Sequence, residues 1–335
     1  MKTNNGDNVR NLSALQNGHV VTQLISAAVR LHVFDHLADG ELTDETLSER
    51  TSTDLAVLRR YLSALRALGL VEPAGTGGHR ATELGALLRR DSGALYGHAL
   101  MSGDDYYEAW KCLDHSLRTG RSAFRHRFGQ SLWERFADDE EVAAAYTRSM
   151  RWNTGHALAE ILDLYRFPDS GVVADLGSGD GTLTIGLLSR FPGLRAVVVE
   201  QPSVIEHTRR TLTEQGLADR CEFVAGDIRS SVPRGADLYL LKSVIHNFGD
   251  DEALGILRTC RDALDTDARL LVVEHTWDTT DALRSAVRDM TMLVLFGSQD
   301  RDAKTYADLV ERAGLTVLGN EVGPTGICVV ESGRL

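Results

Sequence analysis

The sequence predicts an α/β protein: a mostly helical first half, then a mainly parallel sheet that closes with an antiparallel hairpin. Three observations predict it. First, the apolar run Val172-Val173-Ala174-Asp175-Leu176 passes directly into Gly177-Ser178-Gly179-Asp180-Gly181-Thr182, a strand entering a GxGxG loop. Second, six polar residues recur at regular intervals, the first five of them at or just beyond apolar runs. Asp175, Glu200, Asp227, His246, Glu274 and Asp300 are separated by 25, 27, 19, 28 and 26 residues. One strand–helix unit is about that long, so these groups form a row along one sheet edge, where open α/β sheets bind ligands. Third, the apolar stretches 315–322 and 327–331 are joined by Gly323-Pro324-Thr325-Gly326, a hairpin signal.

Composition bounds the function classes. The 335 residues are 43% hydrophobic and 25% charged, enough for a soluble chain with a sizeable core. A net charge of -12 argues against a polyanionic partner, because no basic surplus exists to displace counterions from nucleic acid. The four cysteines (Cys112, Cys221, Cys260, Cys328) are scattered and form no metal-ligand spacing, so reduced thiols are expected. The polar N-terminus lacks a signal-peptide core, and no window reaches the roughly 20 apolar residues of a membrane helix. The expected location is the cytoplasm.

Taken in order, residues 12–37 read as helix from the near-3.6 spacing of Leu15, Val20, Leu24, Ala27, Ala28, Leu31 and Phe34. Thr43 is placed to cap a second helix that has acids in its first turn. Leu55, Leu58, Leu62, Leu65 and Leu68 stripe a third, ending at Gly69. Residues 70–73 and 79–82, around a Gly-rich turn, fit a short β wing. This winged-helix-like outline often binds DNA. Residues 1–100 carry ten Lys or Arg against eleven Asp or Glu, and no basic stripe extends past Arg59, Arg60 and Arg66, so packing or dimerisation is the better reading.

Residues 101–165 read as all-helical, with Tyr106, Trp110, Leu113 and Leu117 on one helix face, as core or as the wall of a ligand site. Alternation begins near Asp169: strands at 172–176, 194–200, 221–225, 237–242 and 269–274, and helices at 182–190 and 202–215. The continuous apolar runs suit parallel strands covered on both faces. The division expected is thus 1–100, 101–168 and 169–335.

The loop glycines let a backbone turn sharply and a ligand approach closely. A pyrophosphate would meet Asp175 and Asp180 as like charges, whereas a ligand bearing an ammonium and a sulfonium would be attracted. Glu200 can accept from a ribose diol. Asp227 can accept from an adenine amine while Ile228 packs on the ring. His275 adjoins Glu274 but points to the other face of a strand, and a metal site of His246, His275 and Glu274 lacks a spacing motif.

These residues, together with Leu241-Lys242-Ser243-Val244-Ile245-His246-Asn247-Phe248, Gly129-Gln130-Ser131-Leu132-Trp133-Glu134 and Asp289-Met290-Thr291-Met292-Leu293, resemble the O-methyltransferases that use S-adenosylmethionine (SAM) to tailor plant phenolics and bacterial natural products. The resemblance covers essentially the whole chain. It implies a Rossmann-like class I methyltransferase sheet behind a winged-helix-like dimerisation domain, a homodimer, SAM as cofactor with S-adenosylhomocysteine as product, and a small aromatic or polyketide-like acceptor. By position it implies that His246 is the general base flanked by Glu274 and Asp300. It implies that Asp175, Gly177, Gly179, Glu200, Asp227, Ile228, Lys242 and Ser243 hold the cofactor. It further implies that Met150, Met292 and Phe296 wall the acceptor pocket beside Tyr106 and Trp110. The family's HDW is here His246-Asn247-Phe248, and its GGRER-like segment is Gly297-Ser298-Gln299-Asp300-Arg301, with Asp for the usual Glu. Alternatives that remain open are N- or C-methylation, a non-methylating member of the fold, and a ligand-responsive winged-helix regulator.

Overall fold

The computed structural model describes residues 5–75, 77–91, 94–138, 140–277 and 281–334. They divide into two compact units, 1–108 with 139–149, and 109–138 with 150–335. The stretch 101–168 is therefore shared between the two.

The first unit is helical with a small wing. Helix Asp44–Thr51 starts where Thr43 accepts from the Thr46 amide (3.2 Å), and helix Leu55–Ala67 where Asp54 accepts from the Val57 amide (2.9 Å). Such caps satisfy amides that have no partner inside the helix. Leu58, Leu62 and Leu65 turn one face of the second helix into a core with Phe34, Leu47 and Tyr96. Strands β1 (Val71–Pro73) and β2 (His79–Ala81) pair antiparallel as the wing, while Thr76 of its turn lies outside the described residues. The single helix expected over 12–37 is instead three pieces, Asn5–Gln16, Gly18–Arg30 and Val33–His36. Asn17-Gly18 are poor helix formers, and His32 adopts a left-handed φ of 53° that ends the second piece.

The second unit holds a seven-stranded sheet: β3 (Ser170–Leu176), β4 (Gly193–Glu200), β5 (Cys221–Ala225), β6 (Leu238–Lys242), β7 (Arg269–His275), β8 (Thr316–Val322) and β9 (Ile327–Gly333). Its order is β5-β4-β3-β6-β7-β9-β8. The first five strands are parallel, and β9 runs antiparallel to both β7 and β8. The expected parallel sheet with its closing hairpin is present. Alternate residues feed two cores, one per face: Ala174, Tyr239, Leu241 and Val272 in one, Val173, Leu238, Leu240 and Val273 in the other. This double burial is why the strands read as unbroken apolar runs.

The 106–117 stripe is a correction. Helix Asp105–Trp110 stops, the chain turns at Lys111-Cys112, and Leu113–Thr119 is a separate helix. The Cys112 amide bonds back to Ala109 O (2.9 Å), an i−3 closure that tightens and ends the turn. Leu117 is 65% exposed, so the four residues share no face.

Candidate active site

The loop after β3 is built by its glycines. Gly177, Gly179 and Gly181 have φ of 74°, 58° and 82°, in the left-handed region that other residues avoid. A Cβ on Gly177 would also lie 3.0 Å from Val244 Cγ2, so glycine there admits the segment that carries His246. Gly181 is the residue before helix Thr182–Arg190.

The two acids discriminate between ligands less than their charges suggest. Asp175 is 2% exposed and accepts from Thr184 Oγ1 (2.6 Å), and burial pushes its pKa up to about 6. Asp180 accepts from Thr182 and is paired with Arg151 Nε at 2.5 Å. One acid lies beneath the loop and the other is matched by a cation that sequence spacing did not reveal.

Glu200 ends β4. Its Oε2 accepts from the Gly179 amide (2.9 Å) and its Oε1 from the Gln201 amide (2.7 Å), while burial raises its pKa. A carboxylate has about four lone-pair sites, so further acceptors stay available for a diol. Asp227 follows β5 and is gripped by Arg229 through Nε (3.0 Å to each oxygen) and Nη2 (2.7 Å). Ile228 is buried in one of the two sheet cores. Lys242 ends β6 and donates to Thr154 Oγ1 (2.8 Å); burial pulls its pKa down, against the nearby charges of Glu274, Asp175 and Asp180. Ser243 takes a φ of 55°. Its amide donates to Val273 O (2.9 Å) and its carbonyl accepts from Asn247 Nδ2 (3.1 Å). Asn247 thus braces the bend that turns His246 over the sheet edge.

His246 beyond β6 and Glu274 on β7 converge with Asp300, which follows helix Ala282–Phe296 rather than a strand. His246 lies on a single 3₁₀ turn, Ile245–Asn247, and its side chain is 14% exposed. Its Nδ1 is 3.4 Å from Glu274 Oε2 and 3.6 Å from Asp300 Oδ1. These three buried atoms have no hydrogen-bond partner among the described residues. The other Glu274 oxygen accepts from the amides of Val244 (2.9 Å), Ile245 (2.7 Å) and His246 (3.3 Å). The other Asp300 oxygen is held by Arg288 Nε, whose Nη2 donates to Thr276 O (2.6 Å). Burial works against a charged imidazole, but the Glu274 charge and then Asp300 outweigh it and hold the His246 pKa above its ordinary value. Burial raises Glu274, against His246 and the three amides. Burial also works upward on Asp300, yet His246 and Arg288 hold it below the usual carboxylate range. With Nδ1 turned to two carboxylates, such an arrangement has the chemistry for Nε2 to take a proton and for the acids to stabilise an imidazolium.

Phe296 stacks on Trp133, with centroids 5.4 Å apart and planes 26° from parallel. Met292 lies one turn earlier on helix Ala282–Phe296, and Met150 is half-buried on helix Glu140–Leu164. Tyr106 is buried in the first unit, whereas Trp110 belongs to the second. His275 is half-buried, with its pKa pushed down to about 3 chiefly by desolvation of the ring.

Sequence reasoning missed Arg151 and Arg288, which pair with the predicted acids Asp180 and Asp300, and Arg301, which holds carbonyls of the His246 turn. Arg301 stands directly after Asp300 in the segment already singled out, which was the one available signal. The others are 29 and 12 residues from their partners.

Comparison with known proteins yields likenesses of three kinds: to family models, to individual relatives and to solved structures. The chain matches the O-methyltransferase domain over residues 110–316 and the O-methyltransferase dimerisation domain over residues 13–91. It is 34% identical over 296 residues to mitomycin biosynthesis 6-O-methyltransferase of Streptomyces lavendulae, covering 88% of this chain and 85% of that protein. It is 32% identical over 311 residues to aclacinomycin 10-hydroxylase RdmB of Streptomyces purpurascens, covering 90% and 83%. Among solved structures it is similar to mitomycin 7-O-methyltransferase MmcR, with a TM-score of 0.92, 32% identity and 99% of each chain covered. It is also similar to NcsB1 of neocarzinostatin biosynthesis in complex with SAM and 2-hydroxy-5-methyl naphthoic acid. There the TM-score is 0.81 with 29% identity, covering 94% of this chain and 96% of that one.

Proposed function

The chain belongs to the O-methyltransferase family, and from that premise we propose that it moves a methyl group from SAM to a hydroxyl of a small aromatic or polyketide-like natural product, with His246 as general base. One observation carries the base: Nδ1 of His246 is turned to two buried carboxylates, Glu274 and Asp300, which leaves Nε2 for the acceptor.

The strand-end residues fit SAM. Glu200 keeps acceptor sites for the ribose diol, and Asp227 with Ile228 suits the adenine edge and face. Gly177 and Gly179 bring bare backbone to the loop, Lys242 and Ser243 line it, and Asp175 supports it from below through Thr184. SAM, when bound, supplies a methyl group on an electrophilic sulfonium. The protein's share of the work is alignment and proton removal. A phenol ordinarily loses its proton near pH 10. An imidazole whose pKa is held above the ordinary value is a better match to that proton, and Glu274 and Asp300 then stabilise the imidazolium. Phe296 on Trp133, with Met292, Met150 and Trp110, suits a flat apolar acceptor.

The N-terminal unit is read as the seat of a homodimer. Helix Asn5–Gln16 exposes Val9, Leu12 and Leu15 at 64%, 59% and 74%, apolar area suited to a second copy. The near-neutral charge of residues 1–100 speaks against DNA. The four free cysteines suit the cytoplasm, and no helix among the described residues is long and apolar enough to cross a membrane.

The similarity to a hydroxylase means that this scaffold does not alone fix the reaction. The flanked His246 favours a hydroxyl acceptor, since nitrogen nucleophiles often need no base. Incubation with SAM and a panel of phenols and hydroxynaphthoates, with mass analysis, tests this. A methylated hydroxyl is expected; exclusive N- or C-methylation, or hydroxylation, would overturn the reading.

A further inference from the structure

The turn that carries His246 is too short to hold itself. Its own backbone closes only Asn247 N to Val244 O and Phe248 N to Ile245 O, both 3.1 Å. Glu274 Oε1 gathers the amides at one end of that turn, as described above. At the other end stands Arg301, 3% exposed. Its Nη1 donates to Ile245 O (3.3 Å) and its Nη2 to Phe248 O (2.9 Å). The same guanidinium reaches Asp250 Oδ1 through Nε (3.1 Å) and Nη2 (2.7 Å), and Gln299 O through Nη1 (3.4 Å).

We propose that Arg301 is a positioning residue for methyl transfer: it grips the carbonyl end of the His246 turn and ties it to the segment that presents Asp300, so that Nδ1 stays between its two carboxylates. This rests on the reading of His246 as the base. Charge complementarity supports it. An anion sits at the amide end of the turn and a cation at the carbonyl end, each matched to the partial charge there. Because Arg301 adjoins Asp300 in sequence, one rigid fork sets both the base and an acid that orients it. A guanidinium suits this task because it presents several donors in one plane, whereas an ammonium is a point charge.

The test uses the full-length protein with substitutions Arg301→Lys, Arg301→Gln and Asp250→Asn. The SAM-binding stoichiometry by calorimetry counts the folded sites, and turnover is expressed per site. Arg301→Lys should lower kcat about 10-fold and Arg301→Gln about 100-fold, the scale of a small misplacement of a catalytic group. KM for SAM and for the acceptor should move little. The acid limb of kcat should shift to lower pH in both variants. Glu274 and Asp300, which raise the imidazole, draw away from it. Lys242 on β6 keeps opposing it, and Arg288 and His275 stay in place beside the acids. Asp250→Asn should move the limb the same way by less, and it decides the matter if Arg301→Gln does not fold.

Unchanged kcat per site with an unchanged limb would overturn the proposal, as would a loss confined to the number of folded sites. His246→Ala separates the two layers. Normal turnover there removes the base reading itself. Lost turnover there, with normal Arg301 variants, removes only the role given to Arg301.

Discussion

Replacing Glu274 by Gln changes one charge at the centre of the site with almost no change in shape. One oxygen of this side chain accepts three amides at 2.9, 2.7 and 3.3 Å. The Gln carbonyl will keep that place, because turning the NH₂ there would forfeit three bonds at about 1 kcal/mol each, and about 3 kcal/mol is a factor of more than 100. The NH₂ then occupies the position now 3.4 Å from His246 Nδ1, where a donor favours a bare Nδ1 and a proton on Nε2. That tautomer cannot accept the acceptor's proton. Asp300, 3.6 Å away, still favours the productive one, so the loss is partial. We expect kcat to fall by about 10² to 10³, less than the ~10⁴ typical when a sole orienting carboxylate becomes an amide. The sign of the pH effect follows from the same charge. On the proposed mechanism the neutral imidazole is the active form, and the Glu274 anion raises its pKa, so activity should climb with pH through a limb above the ordinary imidazole value. Without that anion the limb moves to lower pH. Steady-state rates from pH 5.5 to 9 read both effects. A kcat within about twofold of the parent, on the same limb, would refute this account of the site.

Two more outcomes are open to direct measurement. Glu200→Ala removes the acceptor proposed for the ribose, and one or two charged hydrogen bonds correspond to about 10- to 100-fold in affinity, so calorimetry should show SAM weakened by that much; unchanged affinity would contradict the role. Asp175→Asn should stabilise the cofactor-free protein near pH 7.5. The folded carboxyl titrates near about 6 against an ordinary 3.8, so folding holds the extra proton. Its contribution is intact below pH 4 and lost as pH rises through 6, a deficit of about 3 kcal/mol. Melting curves of the two proteins should diverge at pH 7.5 and converge near pH 4, and equal differences at both pH values would contradict the buried charge.

The sheet was legible because strands buried on both faces leave continuous apolar runs, and β5 was located to the residue. Its C-terminal edge was legible too, since a chain that repeats strand, loop and helix must return to that edge at regular intervals. The helical half was read less well. Periodicity cannot see a stop such as His32 in a left-handed conformation, or the closure at Cys112 that splits the 106–117 stripe. The counter-ions were invisible for a different reason: Arg151 and Arg288 meet their acids through tertiary packing, and no spacing rule links them. The acids of the glycine loop pointed toward a cationic ligand by their charge. Once folded, Asp180 is matched by Arg151 and Asp175 lies beneath the loop, so the proposed fit to SAM rests mainly on Glu200 and the glycines.

The central claim is that His246 takes the acceptor's proton as the methyl group moves. Its most direct test is single-turnover transfer of a trideuterated methyl group from SAM to a hydroxynaphthoate, compared between the parent protein and His246→Ala. We predict a trideuteromethyl ether from the parent, and a rate at least about 100-fold lower in the variant with SAM affinity retained. Equal rates in the two proteins would contradict it.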